Sequence, residues 1–159
     1  MRASHPLQER KLQERIVTFL QQYASGTRVF TRVVMRNNQP VVSGPDLQGA
    51  NLSGTDLEDI VLNGANLPQT NFSWANLQGA DLCETNLASG NFWHAKLGQA
   101  KLKGAKLGAA FLVGADLTGA QLAGADLSYA NLKDAILNGT DLDGAILTQA
   151  VMPDGSLHD

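Results

Sequence analysis

This chain of 159 residues has a single cysteine, Cys83, so it has no internal disulfide and no cysteine pair at metal-ligand spacing. It has no apolar run near membrane-spanning length. The N-terminal region carries Glu9, Arg10, Lys11, Glu14 and Arg15 where a secretory signal needs an apolar core. These absences together predict a cytoplasmic location. No glycine-rich phosphate cradle and no nucleophile elbow occurs, and His5, His94 and His158 lie far apart. The expectation is therefore a protein that is not an enzyme, with no catalytic residue, no cofactor and no metal.

Charge is sparse, with charged residues making up 17% of the chain and a net charge of −3. It is also unevenly divided. Arg2, Arg10, Lys11, Arg15, Arg28, Arg32 and Arg36 make residues 1–44 basic against Glu9 and Glu14, a net of +5. Residues 45–154 hold twelve acids against five lysines, a net of −7. A moderately acidic body thus follows a basic leading segment.

What the chain has in abundance is a period. From Val42 to Leu157 every fifth residue is apolar, mostly Leu, with Phe72, Phe92 and Met152 among the substitutes. In an α-helix five residues advance about 500°, which scatters the leucines around the cylinder. On a straight strand an odd spacing sends successive leucines to opposite faces. Turning the chain once per repeat removes the conflict and sends every leucine inward, as in a coiled β-solenoid. Two residues before each leucine stands a small residue such as Ala50, Thr55, Ala65 or Gly90, sharing the inward face. Ile60 is the bulky exception. Two residues after it Gly recurs, as at Gly49, Gly54 and Gly114, which suits a corner of positive φ. Apparent carboxylate pairs arise at every spacing of five and are no evidence of acid–base chemistry.

The units Ala50-Asn51-Leu52-Ser53-Gly54, Ala115-Asp116-Leu117-Thr118-Gly119 and Ala125-Asp126-Leu127-Ser128-Tyr129 resemble the A(D/N)LXX consensus of the pentapeptide repeat family. Twenty-two consecutive units run from Pro45 to Asp154. The resemblance implies an all-β solenoid, a right-handed quadrilateral β-helix with four units per coil. That gives about five to six coils, roughly 26 Å tall at a strand spacing of about 4.8 Å. It also implies an N-terminal α-helical cap of the kind seen in bacterial members.

Three segments follow: 1–44, with a helix over about 7–24 and a lead-in coil broken by an irregular turn; 45–154, the repeat array; and 155–159, a tail. Leu12, Ile16, Phe19, Leu20 and Tyr23 recur at helical spacing, and Gly26 can end the helix. Phe30 and Met35 are candidate inward residues of the lead-in, with Asn37 to Pro40 as its turn. The last coils turn apolar at normally polar positions, so Ile136, Ile146 and Val151 are a candidate self-association end.

If residues twenty apart stack, the sequence becomes a surface map. Trp74, Trp93, His94, Phe111 and Val113 fall on one side, with Trp74 under His94, and form the candidate partner surface. Asn51, Asn71, Asn91 and Asn131 form one column where an amide ladder is expected. Lys96, Lys101, Lys103 and Lys106 crowd half a coil. Lys96 is expected to meet Asp116, and Lys106 to meet Asp126. Cys83 points outward near Lys103, without a base beside it.

The function expected is a non-enzymatic scaffold that binds a protein partner or itself, as a homodimer, through the aromatic side. No nucleic acid, membrane or small-molecule substrate is expected. The alternative comes from the resemblance: some quinolone-resistance relatives imitate DNA and bind a type II topoisomerase, DNA gyrase. That mimicry needs a strongly negative surface, which the lysines interrupt.

Overall fold

The computed structural model describes residues 6–27, 32–36 and 39–159. Helix α1 spans Pro6–Ala24. It ends in a Schellman turn: the Thr27 N–H bonds to the Gln22 carbonyl at 3.0 Å, with Gly26 at φ 99°. Ile16 and Phe19 of α1 are buried against the first coil, with Leu20 packed beside them. Arg15 ties the helix down by donating to the Asp46 carbonyl at 3.0 Å. The helix therefore covers the open first edge of the solenoid, which would otherwise invite foreign strands.

The lead-in differs from the expected coil. Strands β1 (Arg32–Arg36) and β2 (Gln39–Ser43) pair antiparallel, with Met35 opposite Pro40. They are an antiparallel pair and not a coil, and the coil stacking begins only at Gly44, whose N–H bonds to the Gly64 carbonyl. Phe30, Asn37 and Asn38 lie outside the described residues.

From Asp46 onward the chain is a right-handed quadrilateral β-helix. Parallel bridges join residues twenty apart, from Asp46–Asn66 to Asn131–Val151. Every leucine or phenylalanine of the period from Leu47 to Leu132 is buried, and so are the small residues Ala65, Ala75, Ala80 and Ala95. Ile60 is wholly buried too. The two buried threonines satisfy their hydroxyls by donating to a carbonyl of the coil below, Thr70 to Leu47 and Thr85 to Leu62, both at 3.1 Å, whereas Thr55 donates to Leu52 of its own unit. Phe72 and Phe92 stack at 5.2 Å in successive coils. Gly90 makes room for the second ring, since a Cβ there would stand 2.8 Å from Phe92 Cε2.

Backbone hydrogen bonds account for the unit almost completely. Taking the unit around Leu97, the Lys96 N–H bonds down to Ala75 and the Leu97 N–H up to Asp116. The Gln99 N–H bonds up to Thr118, and the Ala100 N–H closes the turn onto Leu97. The remaining N–H, one residue after the leucine, points outward. In twelve units it is taken by the Asn or Asp two residues earlier, as in Ser73 to Asn71 Oδ1 at 3.0 Å. Every Asn or Asp at this position does so except Asn66, which precedes Pro68, a residue with no N–H. The Asx turn is thus the physical reason for Asn and Asp in the repeat.

The glycines stand at corners of positive φ as expected, and the other corners add a second reason for them. Positive φ holds at every corner from Gly49 to Gln149, but eleven of these residues are not glycine. Backbone freedom alone does not select Gly there. At Gly79, Gly104, Gly114 and Gly119 a Cβ would collide with Asp59, Glu84, His94 and Gln99 of the coil below. A long corner side chain leans over the next coil, and Gly receives it.

The tail 155–159 folds back. Leu157 pairs antiparallel with Val151, and the His158 N–H bonds to the Ala150 carbonyl at 2.8 Å.

Candidate functional site

The aromatic side is built by three stacked coils. Phe72, Phe92 and Leu112 point inward on this side and fix the backbone between them. The Trp74 N–H bonds to the Trp93 carbonyl, and the His94 N–H to the Val113 carbonyl. This register lays the His94 ring flat on Trp74, centroids 4.6 Å apart and planes 18° apart. Trp93 meets Trp74 edge-on at 5.4 Å and His94 at 4.9 Å. The three rings form one cluster that stays open to solvent, with Trp74 58% exposed and Trp93 41%. Phe111 lies in the next coil, 44% exposed, and Val113 beside it is half-buried. Of the expected residues the structure brings Trp74, Trp93 and His94 into ring contact, and places Phe111 and Val113 in the next coil without ring contact among the described residues.

Both Trp74 and His94 sit in the left-handed backbone region, at φ 61° and 51°. A bulky side chain there costs about 1 kcal/mol relative to glycine. Ring stacking returns a similar amount, about 0.5–1.5 kcal/mol. Stability alone therefore gives little reason for Trp and His at two successive corners of one column.

The amide ladder is not in the expected column. Asn51, Asn71, Asn91 and Asn131 each turn Oδ1 onto their own chain. Side-chain amides instead reach across coils in two other columns: Asn66 to Asp46, Asn86 to Asn66, and Asn76 to Asp56. The expected cross-coil ion pairs are also not formed. Lys96 bridges Asp116 and Lys106 bridges Asp126 through the backbone, yet among the described residues the ion pairs are Arg10–Glu14 and Arg15–Asp46. The aspartates are already engaged: Asp116 accepts from the Thr118 N–H, and Asp126 from both the N–H and hydroxyl of Ser128. Those Ser128 bonds hold the Asp126 carboxyl below the usual carboxylate range, with a smaller pull from Lys106. A local cap two residues away outcompetes an exposed lysine, whose pairing contributes only about 0–1 kcal/mol.

The self-association residues do not form one patch. Ile136, Ile146 and Val151 lie above Asp116, Asp126 and Asn131, on three different sides of the tower. Ile136 and Ile146 are exposed, whereas Val151 is half-buried beside Leu157. Cys83 is half-buried; burial first, then its hydrogen bond to Asp81, pushes the thiol pKa up. It stays protonated at neutral pH and is a poor nucleophile. Among the described residues no group of His, Cys, Asp and Glu is placed to hold a metal ion, and no helix is long and apolar enough to cross a membrane.

Coils of twenty residues, closed at their corners and capped by a helix, define the class: a β-solenoid repeat scaffold. The family model described as pentapeptide repeats (8 copies) matches residues 46–82, 65–104, 100–139 and 125–158, and the chain belongs to that family. Among solved structures it is similar to a pentapeptide repeat protein, Rfr23, from the cyanobacterium Cyanothece 51142. That likeness has 26% identity and a TM-score of 0.57, and covers 72% of this chain and 91% of that one. It is also similar to HetL, a pentapeptide repeat protein involved in heterocyst differentiation regulation in the cyanobacterium Nostoc sp. strain PCC 7120. Here identity is 25% and the TM-score 0.44, over 88% of this chain and 98% of that one. No curated protein matches.

Proposed function

We propose that this chain is a non-enzymatic scaffold that binds a protein partner, or a second copy of itself, through the side bearing Trp74, Trp93, His94, Phe111 and Val113. The observation that carries the reading is the Trp74–His94 stack, two large rings kept exposed at backbone corners where glycine is easier. Exposed tryptophans clustered on one side are the usual anchors of protein contacts. The test replaces Trp74 and Trp93 by Ser. Sedimentation and affinity capture should lose the self-associated species or the co-purifying partner while the circular dichroism spectrum stays unchanged. Identical behaviour of the variant sinks the proposal. A gyrase supercoiling assay separates the DNA-mimic alternative, because inhibition or protection at micromolar protein would favour it. The unpaired lysines of the middle coil weigh against that alternative, since a mimic must keep an unbroken negative surface.

A further inference from the structure

Units without an Asx cap occur singly or in pairs elsewhere, as at Val61, Gln121, Ile136, Ile146 and Val151, but one coil loses three caps at once. In the coil 71–90 the capping positions are Asn71, Asn76, Asp81 and Asn86, and all four make the bond. Above it, 91–110 keeps Asn91 but carries Lys96, Lys101 and Lys106, and the next position is Phe111. Four consecutive units, one on each side of the tower, thus lack their cap. The N–H groups of Gly98, Lys103, Gly108 and Val113 have no acceptor among the described residues. All four lysines, Lys96, Lys101, Lys103 and Lys106, are exposed and make no ion pair among the described residues. No acid occurs between Glu84 and Asp116. The result is a cationic belt one coil high around an acidic tower, beginning at Trp93 and ending at Phe111.

Each Lys-Leu-Gly or Lys-Leu-Lys unit presents an ammonium beside an outward N–H from which the usual carboxylate or amide oxygen is missing. At Gly98 no side chain covers that N–H from its own residue. The atoms nearest to where a Cβ would stand are the Thr118 carbonyl oxygen at 3.7 Å for Gly98 and the Ser128 carbonyl oxygen at 3.8 Å for Gly108. At Gly108 Asp126 Oδ2 also comes to 3.9 Å, so of these two units the Lys96 one is free of a nearby carboxylate. We infer that the belt is a docking strip for an extended acidic segment of a partner protein, whose carboxylates occupy the places that Asn and Asp oxygens fill in the other coils, with an apolar residue of that segment against Trp93. The inference deepens the scaffold reading and rests on it for the anchor.

The size of the belt selects the partner. One coil is about 4.8 Å high, the width of a single extended strand. Acids lie above and below it, at Asp116 and Asp126 and at Asp81 and Glu84. A nucleic acid strand carries a fixed charge on every nucleotide and is repelled by those acids all along its path. An extended peptide with a carboxylate at every second residue turns them to one face and leaves the residues between neutral.

The probe is a fluorescein-labelled peptide of alternating Glu and Ser with one Phe, followed by anisotropy. Saturable binding is expected, weakening at least about tenfold in the triple variant Lys96→Gln, Lys101→Gln, Lys103→Gln and falling with added salt. The corresponding triple Arg variant should bind as wild type does. Lys96→Asn supplies the missing cap, so it should raise the thermal midpoint while weakening the peptide; a lysine that merely supported the fold would do the opposite. No saturation below about 1 mM overturns the inference. Equal binding by the Gln triple overturns it, as does tighter binding of a labelled oligothymidylate with the same lysine dependence. An unchanged Gln triple leaves the aromatic side standing, whereas an unchanged Trp74→Ser, Trp93→Ser variant in partner capture removes the scaffold reading and not the strip.

Discussion

The coils 71–90 and 91–110 are stacked directly on each other and share one interior. Phe72 stacks on Phe92, and Leu77, Leu82 and Leu87 lie below Leu97, Leu102 and Leu107, all buried. Their exteriors differ sharply: four Asx caps below, one cap and four lysines without an ion pair among the described residues above. The difference teaches that two requirements of the repeat are separable. Inward residues hold the coil in the stack, while the outward Asn or Asp adds a local hydrogen bond that one coil does largely without.

The comparison breaks most visibly from the inside. Phe92→Ala removes a ring that both coils share and should cost about 3–5 kcal/mol in denaturant unfolding, with Phe72→Ala similar. Next comes Gly90→Ala. It restores the small residue most common at that position, yet the added methyl would meet Phe92, so a loss of about 1–3 kcal/mol is expected. An increase in stability would show that the ring relaxes freely. The caps come third. Asn76→Ala removes the cap and the amide bond to Asp56 and should cost about 1–2 kcal/mol, whereas Lys96→Ala, one coil higher in the same column, should cost almost nothing. Equal losses would show that the lysine supports the coil in some way other than a cap. Trp74→Gly should lie within about 1 kcal/mol of wild type, because relief of the left-handed corner offsets lost stacking.

The smallest effect concerns pH. Asp126 has its folded pKa depressed by Ser128, so its contribution is present above the unfolded value of about 3.9 and is lost as pH falls through the folded value. Asp126→Asn keeps an oxygen for the Ser128 bonds but does not titrate. It should therefore lower the pH dependence of unfolding below about pH 4 while changing little at pH 7.

Much of this was legible from residue spacing. The leucine period put Phe72 under Phe92 and Trp74 under His94, and the rings stand there, because period and stacking are both fixed by the backbone ladder. The helix over 7–24 was legible from its apolar spacing and differs by one residue at its start. Lys96 and Asp116 were correctly placed as neighbours, yet they do not pair. Column position says which side chains are within reach, but not that Asp116 finds a closer donor in the Thr118 N–H. The role of glycine at Gly114 was half legible: the corner needs positive φ, but the space demanded by His94 shows only in three dimensions. The antiparallel pairing of 32–36 with 39–43 was missed because its apolar residues fit a coil about as well as a strand pair.

The stacked phenylalanine rings and the Trp74–His94 pair have a consequence for how the chain finds its fold. A thread of nearly identical five-residue units can close its ladder one unit or one whole coil out of step and still make the same kinds of backbone bond. Such a slip is not costly in hydrogen bonds, but it would part the Phe92 ring from Phe72 and His94 from Trp74. These rare residues act as page numbers in a book of repeated lines: they tell each turn of the chain which turn it belongs on.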